Sequence, residues 1–335
     1  MIWMSWRQFR AQALVGALAM VPVVAYLILT SVDIRRSYDR YQTQCASLGN
    51  CAEAMLQFQN DFRTRLLLLA LLLAVIPGLL GVFWGAPLVA REIETGTYRL
   101  VWNQSVTRRR WLVIKLLFVG FASMITAGLV SVLLTWASSP VDAVAQDRFG
   151  ALVFDARNIV PVAYAAFAFV MGTVIGLFVR RTIPAMALTM LVFVIIQFAV
   201  PAFARPNLMT PETTTKAMTV QAFGEIRGFG DDPTLKGLSI PGAWVTNTSP
   251  LLTADGSRLD KATYRQCVTD PPATGGAPGI GGTVLCLANL DLHVEISYHP
   301  NDRYWTFQWL ESGFYLVLSG LLAVLGLWRI QRHVI

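Results

Sequence analysis

Six long runs without a charged residue limit what this chain can fold into. Asp, Glu, Lys and Arg are absent from residues 11–32, 66–90, 116–141, 158–179, 182–204 and 312–328. About 18 to 20 apolar residues in a helix cross the hydrocarbon core of a bilayer, and the last run reaches that length when it is extended back to Tyr304. Only 14% of the residues are charged, against about 25% in soluble domains. We therefore predict an all-α polytopic membrane protein with six transmembrane helices.

The charges between these runs divide the chain into predicted segments. They are an interfacial N-terminal helix (1–10), five transmembrane helices within 11–204 (about 11–32, 66–90, 111–137, 159–179 and 182–204), an outer loop (33–65), a charged loop (91–115), a separate domain (205–303), a sixth transmembrane helix (304–328) and a tail (329–335). The interfacial helix is suggested by apolar residues at helical spacing beside Arg7 and Arg10, although a simple aromatic and basic flank explains them equally well. The first run has 22 residues. It therefore exceeds the apolar core of about 7 to 15 residues found in cleavable signal peptides, and we expect it to stay as a helix.

The basic residues predict which side of the membrane each loop faces. If both termini are cytoplasmic, the inner segments hold twelve basic and two acidic residues, a net charge of +10, and the remainder of the chain has a net charge of −3. Cytoplasmic loops of membrane proteins carry an excess of Lys and Arg. We therefore predict that both termini lie inside. Arginine outnumbers lysine 23 to 4, which is typical of a bacterial genome rich in G and C, so we expect the membrane to be a bacterial plasma membrane.

The four cysteines all fall on the predicted outer side. Cys45 and Cys51 lie in the first outer loop, and Cys267 and Cys286 lie in the domain at residues 205–303. An even number of cysteines on an oxidising face favours two local disulfides, while a pairing between the two loops stays open. The domain is rich in Pro, Gly, Thr and Asp, and we expect a small extracellular domain of the α/β type.

One stretch of this domain raises the question of metal chemistry. The segment "VLCLANLDLHVEISYHP" alternates like a half-buried strand, with Asp291, His293 and Glu295 on one face. His299 follows close by, and imidazoles beside carboxylates can bind zinc or copper, but alternating polar residues on an outward strand face explain the pattern equally well. We predict no metal and no catalytic residue in this chain.

Nucleotide hydrolysis is not expected from this chain. A P-loop needs Gly-Lys followed by Ser or Thr. Glycine precedes none of the four lysines, Lys115, Lys216, Lys236 and Lys261. Any ATPase that drives the protein must be another polypeptide, and nucleic acid is not an expected partner.

Small residues predict where the membrane helices pack closely. Gly81 and Gly85 in the second helix are four residues apart, as are Ala168, Gly172 and Gly176 in the fourth. Small residues at this interval let helices approach closely, although glycine is also simply common in membrane helices.

Four other residues are candidates for a pathway or a gate. Pro77 and Gly78 interrupt the second helix, where they could hinge it or merely shape it. Gln197 is polar at membrane depth in the fifth helix. Glu311 near the outer end of the sixth helix is a functional candidate, or it could reach interfacial water.

The charged loop contains the most specific pattern in the chain. It reads "REIETGTYRLVWNQSVTRRRWLVIKL", and under the predicted orientation it is the one sizeable cytoplasmic loop. Gly96 can end the second helix. Glu92 and Glu94 are the only acidic residues on that side, and we expect them to pair with Arg7 or Arg10 or with an arginine of a partner.

This loop resembles the loop after the second helix in type 2 ABC exporter permeases. In that family an acidic residue, Gly-Thr, an apolar stretch, a Ser/Thr-Arg turn and a Lys follow one another in order. The resemblance implies a coupling helix at residues 97–104 that contacts a separate ATP-binding cassette subunit, which binds ATP and Mg²⁺. The residues it assigns to coupling are Glu92, Glu94, Gly96, Thr97, Tyr98, Arg99, Leu100 and Trp102. It also implies two permease copies, with a path between them lined mainly by the second and fifth helices.

We therefore predict the permease subunit of an ATP-driven exporter that moves a hydrophobic or amphipathic substrate, such as a drug, antibiotic, lipid or peptide, outward. One alternative is an ATPase-linked sensory or resistance module that binds an antibiotic or peptide through its outer domain. Another is a lipid-modifying membrane enzyme centred on Asp291, His293 and Glu295.

Overall fold

The protein is mostly helical and has a small sheet region near its C-terminus. The computed structural model describes residues 2–48, 51–97, 107–145, 148–240, 242–269 and 280–332. The chain forms two compact units, Met1–Leu208 with Trp305–Ile335, and Met209–Tyr304. The described helices are α1 Ile2–Leu48, α2 Cys51–Leu80, α3 Ala86–Glu94, α4 Arg108–Ala145, α5 Ala151–Asp155, α6 Val160–Val179, α7 Thr182–Ala199, α8 Val220–Phe223, α9 Lys261–Thr269, α10 Ile280–Ala288 and α11 Tyr304–Arg332.

Six helical segments in the described part of the chain are long and apolar enough to cross a membrane, as the charge-free runs predict. They are Phe9–Ser47, Glu53–Glu94, Arg108–Val144, Val160–Val179, Thr182–Asn207 and Asn301–Arg332. The second segment joins α2 to α3 through a π-helical turn, Gly81–Gly85, and the fifth continues α7 through Val200–Ala204 and Arg205–Asn207. The chain is thus a multi-pass membrane protein.

The first helix extends beyond the predicted transmembrane segment at both ends. It starts at Ile2, so the stretch assigned to a separate interfacial helix is continuous with α1. The sequence Arg10-Ala11-Gln12-Ala13 contains strong helix formers and no breaker, which explains the continuity.

The predicted outer loop at residues 33–65 forms the two arms of a helical hairpin. Neither residues 33–48 nor 51–65 contain Pro or Gly, so nothing in the arms interrupts α1 or α2. The disulfide Cys45–Cys51 joins the arms at the tip, and Asp33 pairs with Arg65 at 3.2 Å near the base. Between these points Tyr41 stacks on Phe58 with ring centroids 5.7 Å apart.

Glycines bring the second and fourth membrane helices into backbone contact with each other. Their spacing predicted close packing but not which helices meet. A Cβ atom on Gly85 would lie 2.5 Å from the carbonyl oxygen of Phe169, and one on Gly176 would lie 2.5 Å from that of Ala86. A Cβ atom on Gly172 would meet the carbonyl oxygen of Gly81. Only glycine permits this approach, so α6 lies directly against the π turn and α3.

The second unit is built on an antiparallel sheet. Its strands are β1 Glu212–Ala217, β2 Gly228–Phe229, β3 Leu235–Lys236, β4 Ala243–Thr248 and β5 His293–Pro300. The sheet order is β1-β5-β4, with β2 and β3 as a separate hairpin. The described strand pairs are all antiparallel, so the unit is of the α+β type instead of α/β. Its core includes Tyr264, Leu287 and Ile296.

The structure confirms the local disulfides and corrects one strand. Cys267 of α9 pairs with Cys286 of α10, as Cys45 pairs with Cys51. The stretch predicted as one strand is wrong in its first half, because Ile280–Ala288 is helical and β5 begins only at His293. Leu287 lies in the core of the second unit and Val284 packs against it, and their separation of three residues fits a helix. A short apolar run fits a strand as well as a helix, so the pattern alone did not decide between them.

Candidate functional site

The charged loop leaves the first unit at what we call the loop end, defined by the end of α3 and the start of α4. Val89 of α3, Trp111 and Leu112 of α4, Leu177 of α6 and Ile330 of α11 form one apolar cluster there. Residues 98–106 lie outside the described part of the chain. The predicted coupling residues Tyr98, Arg99, Leu100 and Trp102 therefore lie outside it too.

Glu92 forms a buried ion pair with Lys115. The Lys115 side chain is only 3% exposed and that of Glu92 12%. The ammonium also donates to the carbonyl oxygen of Leu88 at 3.4 Å and lies 4.6 Å from the centroid of the Trp111 ring. Removing one partner of a buried ion pair leaves the other charge buried and uncompensated, which is strongly destabilising. This contact therefore joins α3 firmly to α4.

Glu94 caps α7, the helix of the fifth membrane segment. Its carboxylate accepts hydrogen bonds from the Thr182 backbone N–H at 2.9 Å and from the Thr182 hydroxyl at 2.7 Å. A carboxylate at a helix N-terminus satisfies an unpaired N–H and complements the helix dipole. The end of α3 is thereby joined to the start of α7.

Within the chain, these contacts differ from the pairing with Arg7 or Arg10 that was expected for the two glutamates, and pairing with an arginine of a partner stays a prediction. The sequence favoured Arg7, Arg10 or an arginine of a partner, whereas Glu92 contacts Lys115 and Glu94 contacts Thr182. One signal was available for Glu92, because a lone lysine inside an apolar helix needs a counter-charge. No comparable signal marks Thr182, since its approach to Glu94 depends on how α3 and α7 pack.

Gly96 ends α3, as predicted. Its φ of +72° is left-handed, and its N–H donates to the carbonyl oxygen of Ile93 at 3.2 Å. Thr97 follows, with its hydroxyl 3.5 Å from the carbonyl oxygen of Glu92. A left-handed glycine is a common C-terminal cap of helices.

A cavity of about 370 Å³ lies at the loop end between α1, α3 and α4. Its lining includes Phe9, Gln12, Arg91, Glu92, Thr97 and Lys115. Five of the residues that line it, Arg91, Glu92, Thr95, Thr97 and Lys115, belong to the charged loop at residues 91–115. The start of that loop thus borders a concave, partly polar surface.

Pro77 and Gly78 lie where α2 meets α7. A Cβ atom on Gly78 would lie 2.6 Å from a ring carbon of Phe193, so the two helices touch at this point. The π turn Gly81–Gly85 follows one turn later, with the Ala86 N–H donating to the carbonyl oxygen of Gly81. Such turns are frequent at functional sites. The sequence did not predict the π turn, although Pro77, Gly81 and Gly85 mark it in hindsight.

Gln197 is half-buried on α7. Within the described residues its Nε2 atom has no hydrogen-bond partner. A polar amide at membrane depth is costly without a partner, so Gln197 keeps its place as a pathway candidate.

A cluster of buried charges, the Arg205 cluster, lies at the end of the first unit opposite the loop end. It consists of Asp155, Tyr164, Arg205 and Glu311. Glu311 accepts from Arg205 Nε at 2.7 Å and from Nη2 at 2.9 Å. Asp155 pairs with the same guanidinium, and the Tyr164 hydroxyl contacts both carboxylates. The side chain of Glu311 is 0% exposed and that of Asp155 5%, so Glu311 does not reach interfacial water.

The linker between α4 and α6 is held by further polar contacts. Arg157 pairs with Asp142 of α4 at 2.8 Å, and Ser131 of α4 donates to the Asn158 carbonyl oxygen at 2.7 Å. Gln308 of α11 donates to the carbonyl oxygen of Phe154 at 3.4 Å. The Arg205 cluster was not predicted from the sequence, because Arg205 was assigned to the start of the separate domain and Asp155 was not singled out.

The comparison with known families decides the class of the protein. A family described as ABC-2 membrane transporter related matches residues 17–205. The chain belongs to this family. Membership makes it a membrane component of an ABC transporter, generally not catalytic itself, and implies partnership with an ATP-binding subunit. No curated protein and no solved structure matches the chain.

The matched region begins within α1, continues through α7 and ends on Arg205. It includes the seam of glycines, the loop end and three of the four residues of the Arg205 cluster. Glu311 on α11 and the whole second unit lie beyond it.

The residues considered for metal or lipid chemistry do not assemble. Asp291 lies in the turn before β5 with a φ of +48°, while His293 and Glu295 lie on the strand itself. Across the described ranges, no group of three or more His, Cys, Asp or Glu residues could hold a metal ion. The lipid-enzyme hypothesis gains no support from the second unit.

Proposed function

We propose that this chain is the membrane subunit of an ABC exporter in a bacterial plasma membrane. It moves a hydrophobic or amphipathic substrate, such as a drug, antibiotic, lipid or peptide, outward. ATP and Mg²⁺ bind to a separate subunit, which acts on the charged loop at residues 91–115. The family match supports the transporter class, and the polar contacts at the loop end carry the proposal for coupling.

The loop end is built to pass a displacement of the loop to several helices at once. Glu92 joins α3 to Lys115 of α4, and Glu94 joins α3 to Thr182 of α7. The glycine seam joins the π turn and α3 to α6 through backbone contact. Because close-packed interfaces transmit strain, a push on the end of α3 moves α4, α6 and α7 together.

The charge distribution supports an inward-facing loop end. The segments that share its side, including both termini, carry a net charge of +10. In this orientation both disulfides lie on the oxidising side, where such bonds persist. The unit Met209–Tyr304 is then extracellular.

We further propose that two copies of the chain pack together, with the substrate path between them lined by α2 and α7. The α7 segment exposes large apolar side chains, among them Ile183, Phe198 and Phe203, which lipid or a second copy must cover. Gln197 on the same helix supplies a polar group for such a path.

A sensory or resistance module linked to an ATPase is the second candidate. The unit Met209–Tyr304 has its own hydrophobic core and its own disulfide, as an independent binding domain requires. ATP-driven accumulation of a candidate substrate in inverted vesicles supports the exporter. Binding of that compound without accumulation supports the module.

Gly96 offers a test of the coupling role. Gly96→Val is expected to keep the fold but to lower substrate-stimulated ATP hydrolysis at least fivefold, because a left-handed φ strains any β-branched residue by roughly 1–2 kcal/mol and redirects the loop. Gly256→Val is the matched control, since Gly256 also has a left-handed φ, of +81°, and open space around its Cβ position. The measurement is ATPase activity of equal amounts of purified complex in lipid nanodiscs. Equal loss of activity in both variants would contradict the coupling role.

A further inference from the structure

The Arg205 cluster contains one cation for two carboxylates. Glu311 occupies the bidentate face of the guanidinium, through Nε and Nη2. Asp155 shares Nη2 with Glu311. The two side chains are 5% and 0% exposed. If both were ionised, the cluster would carry one uncompensated negative charge away from water, which is strongly unfavourable.

The other elements around Asp155 do not supply the missing positive charge. Tyr164 of α6 and Tyr315 of α11 are the neighbouring phenols, and α2 presents Leu73 and Ile76 to the adjacent Ala156. Arg157 of the α4–α6 linker is paired with Asp142 of α4 and donates to the hydroxyl of Ser138 on the same helix. Among the described residues, Arg205 is therefore the cation that contacts Asp155.

We propose that Asp155 is a proton-binding site and that its proton holds the Arg205 cluster closed. With the proton bound, Asp155 is a neutral acid, and Arg205 with Glu311 forms a balanced pair. Loss of the proton restores the excess negative charge, which favours entry of water and separation of the α4–α6 linker from Arg205 and α11. The site rests on the geometry of the cluster and does not depend on the direction of transport.

The electrostatic surroundings agree with this role. Burial raises the pKa of Asp155 to about 6, with the Arg205 charge opposing the rise and the Glu311 charge adding to it. The folded chain then binds this proton more tightly than the unfolded chain does. The resulting stability is fully present below the ordinary Asp pKa and is lost as the pH rises through about 6.

Infrared difference spectroscopy tests the site directly. The full chain in lipid nanodiscs is titrated from about pH 8 to about pH 5, and the carbonyl stretch of protonated carboxylic acids is followed. We expect a buried-acid band with a midpoint near 6 that Asp155→Asn removes. Asp232→Asn is the matched control, because Lys261 at 2.8 Å lowers the pKa of Asp232, so this exposed acid titrates below the range and the band stays.

A second variant keeps the test decisive if Asp155→Asn does not fold. Glu311→Gln removes the competing carboxylate, so Arg205 pairs with Asp155 alone, and the midpoint is expected to fall by at least one pH unit. The thermal midpoint of the wild type should rise on acidification through the same range, and that rise should be absent in Asp155→Asn. A wild-type spectrum without a titrating acid band, or a band that Glu311→Gln leaves at the same midpoint, overturns the proposal.

Discussion

Replacing Arg205 with Met is expected to destabilise the folded chain by about 3–5 kcal/mol near pH 5, where the Arg205 cluster is closed. The substitution keeps much of the apolar volume but removes the guanidinium that joins the end of the α7 segment to α11 and to the linker. It leaves the buried carboxyl groups of Asp155 and Glu311 without a cation. It also removes the contact of the guanidinium with the Phe154 ring, whose centroid lies 4.3 Å from Arg205 Cζ. Thermal unfolding of the purified chain in detergent measures the effect.

Arg65→Met provides the control for this prediction. Arg65 pairs with Asp33, but the two side chains are 57% and 51% exposed, so the loss should stay below about 1 kcal/mol. Arg205→Lys should restore only part of the stability, because an ammonium cannot reproduce the bidentate contact with Glu311. If Arg205→Met melts at the same temperature as Arg65→Met, the cluster does not stabilise the first unit.

Gly172→Val is expected to cost about 3 kcal/mol and to reduce the yield of monodisperse protein severalfold. The new Cβ atom would meet the carbonyl oxygen of Gly81 and would lie 3.0 Å from the Ala86 backbone nitrogen. Both neighbours are backbone atoms, so the clash cannot be relieved by a side-chain rotation. The helix α6 must move away from the π turn and from the start of α3.

Gly320→Val is the matched control for the seam. Gly320 also lies in a membrane helix, and no atom is found within 4 Å of its Cβ position. Size-exclusion profiles and thermal melting of the two variants in the same detergent give the comparison. Similar profiles for Gly172→Val and Gly320→Val would show that close backbone contact is not required at this position.

Local patterns in the sequence were sufficient for much of this fold. Charge-free runs predicted the six membrane helices, and cysteines close in sequence predicted the disulfides. The spacing of the small residues predicted close packing of the second and fourth membrane helices, but it did not show that these two pack against each other. Each of these features depends on residues within a few turns of one another. The same reliance on local pattern made the predicted start of the last strand wrong, because a short apolar run fits both a helix and a strand.

The polar contacts of the candidate sites depend on tertiary packing and could not be read from spacing. Glu94 and Thr182 are 88 residues apart, and Arg205 and Glu311 are 106 residues apart. Arg205 follows an apolar run, where arginine is common as an interfacial anchor, so its burial could not be anticipated. Only the packing of α7 and α11 around the linker turns these residues into a cluster.

Cross-linking from Thr97 tests the central claim most directly. The four native cysteines are paired in disulfides, so Thr97→Cys introduces the single free thiol of the chain. Thr97 is exposed at the end of α3, where the charged loop begins. In cells that express the chain with its ATP-binding subunit, a short cross-linker that reacts with a thiol at one end and with a lysine amine at the other should join this cysteine to that subunit. A membrane-impermeant thiol reagent added outside should not label it. Labelling from outside without any adduct to the ATP-binding subunit would contradict both the orientation and the coupling role of the loop.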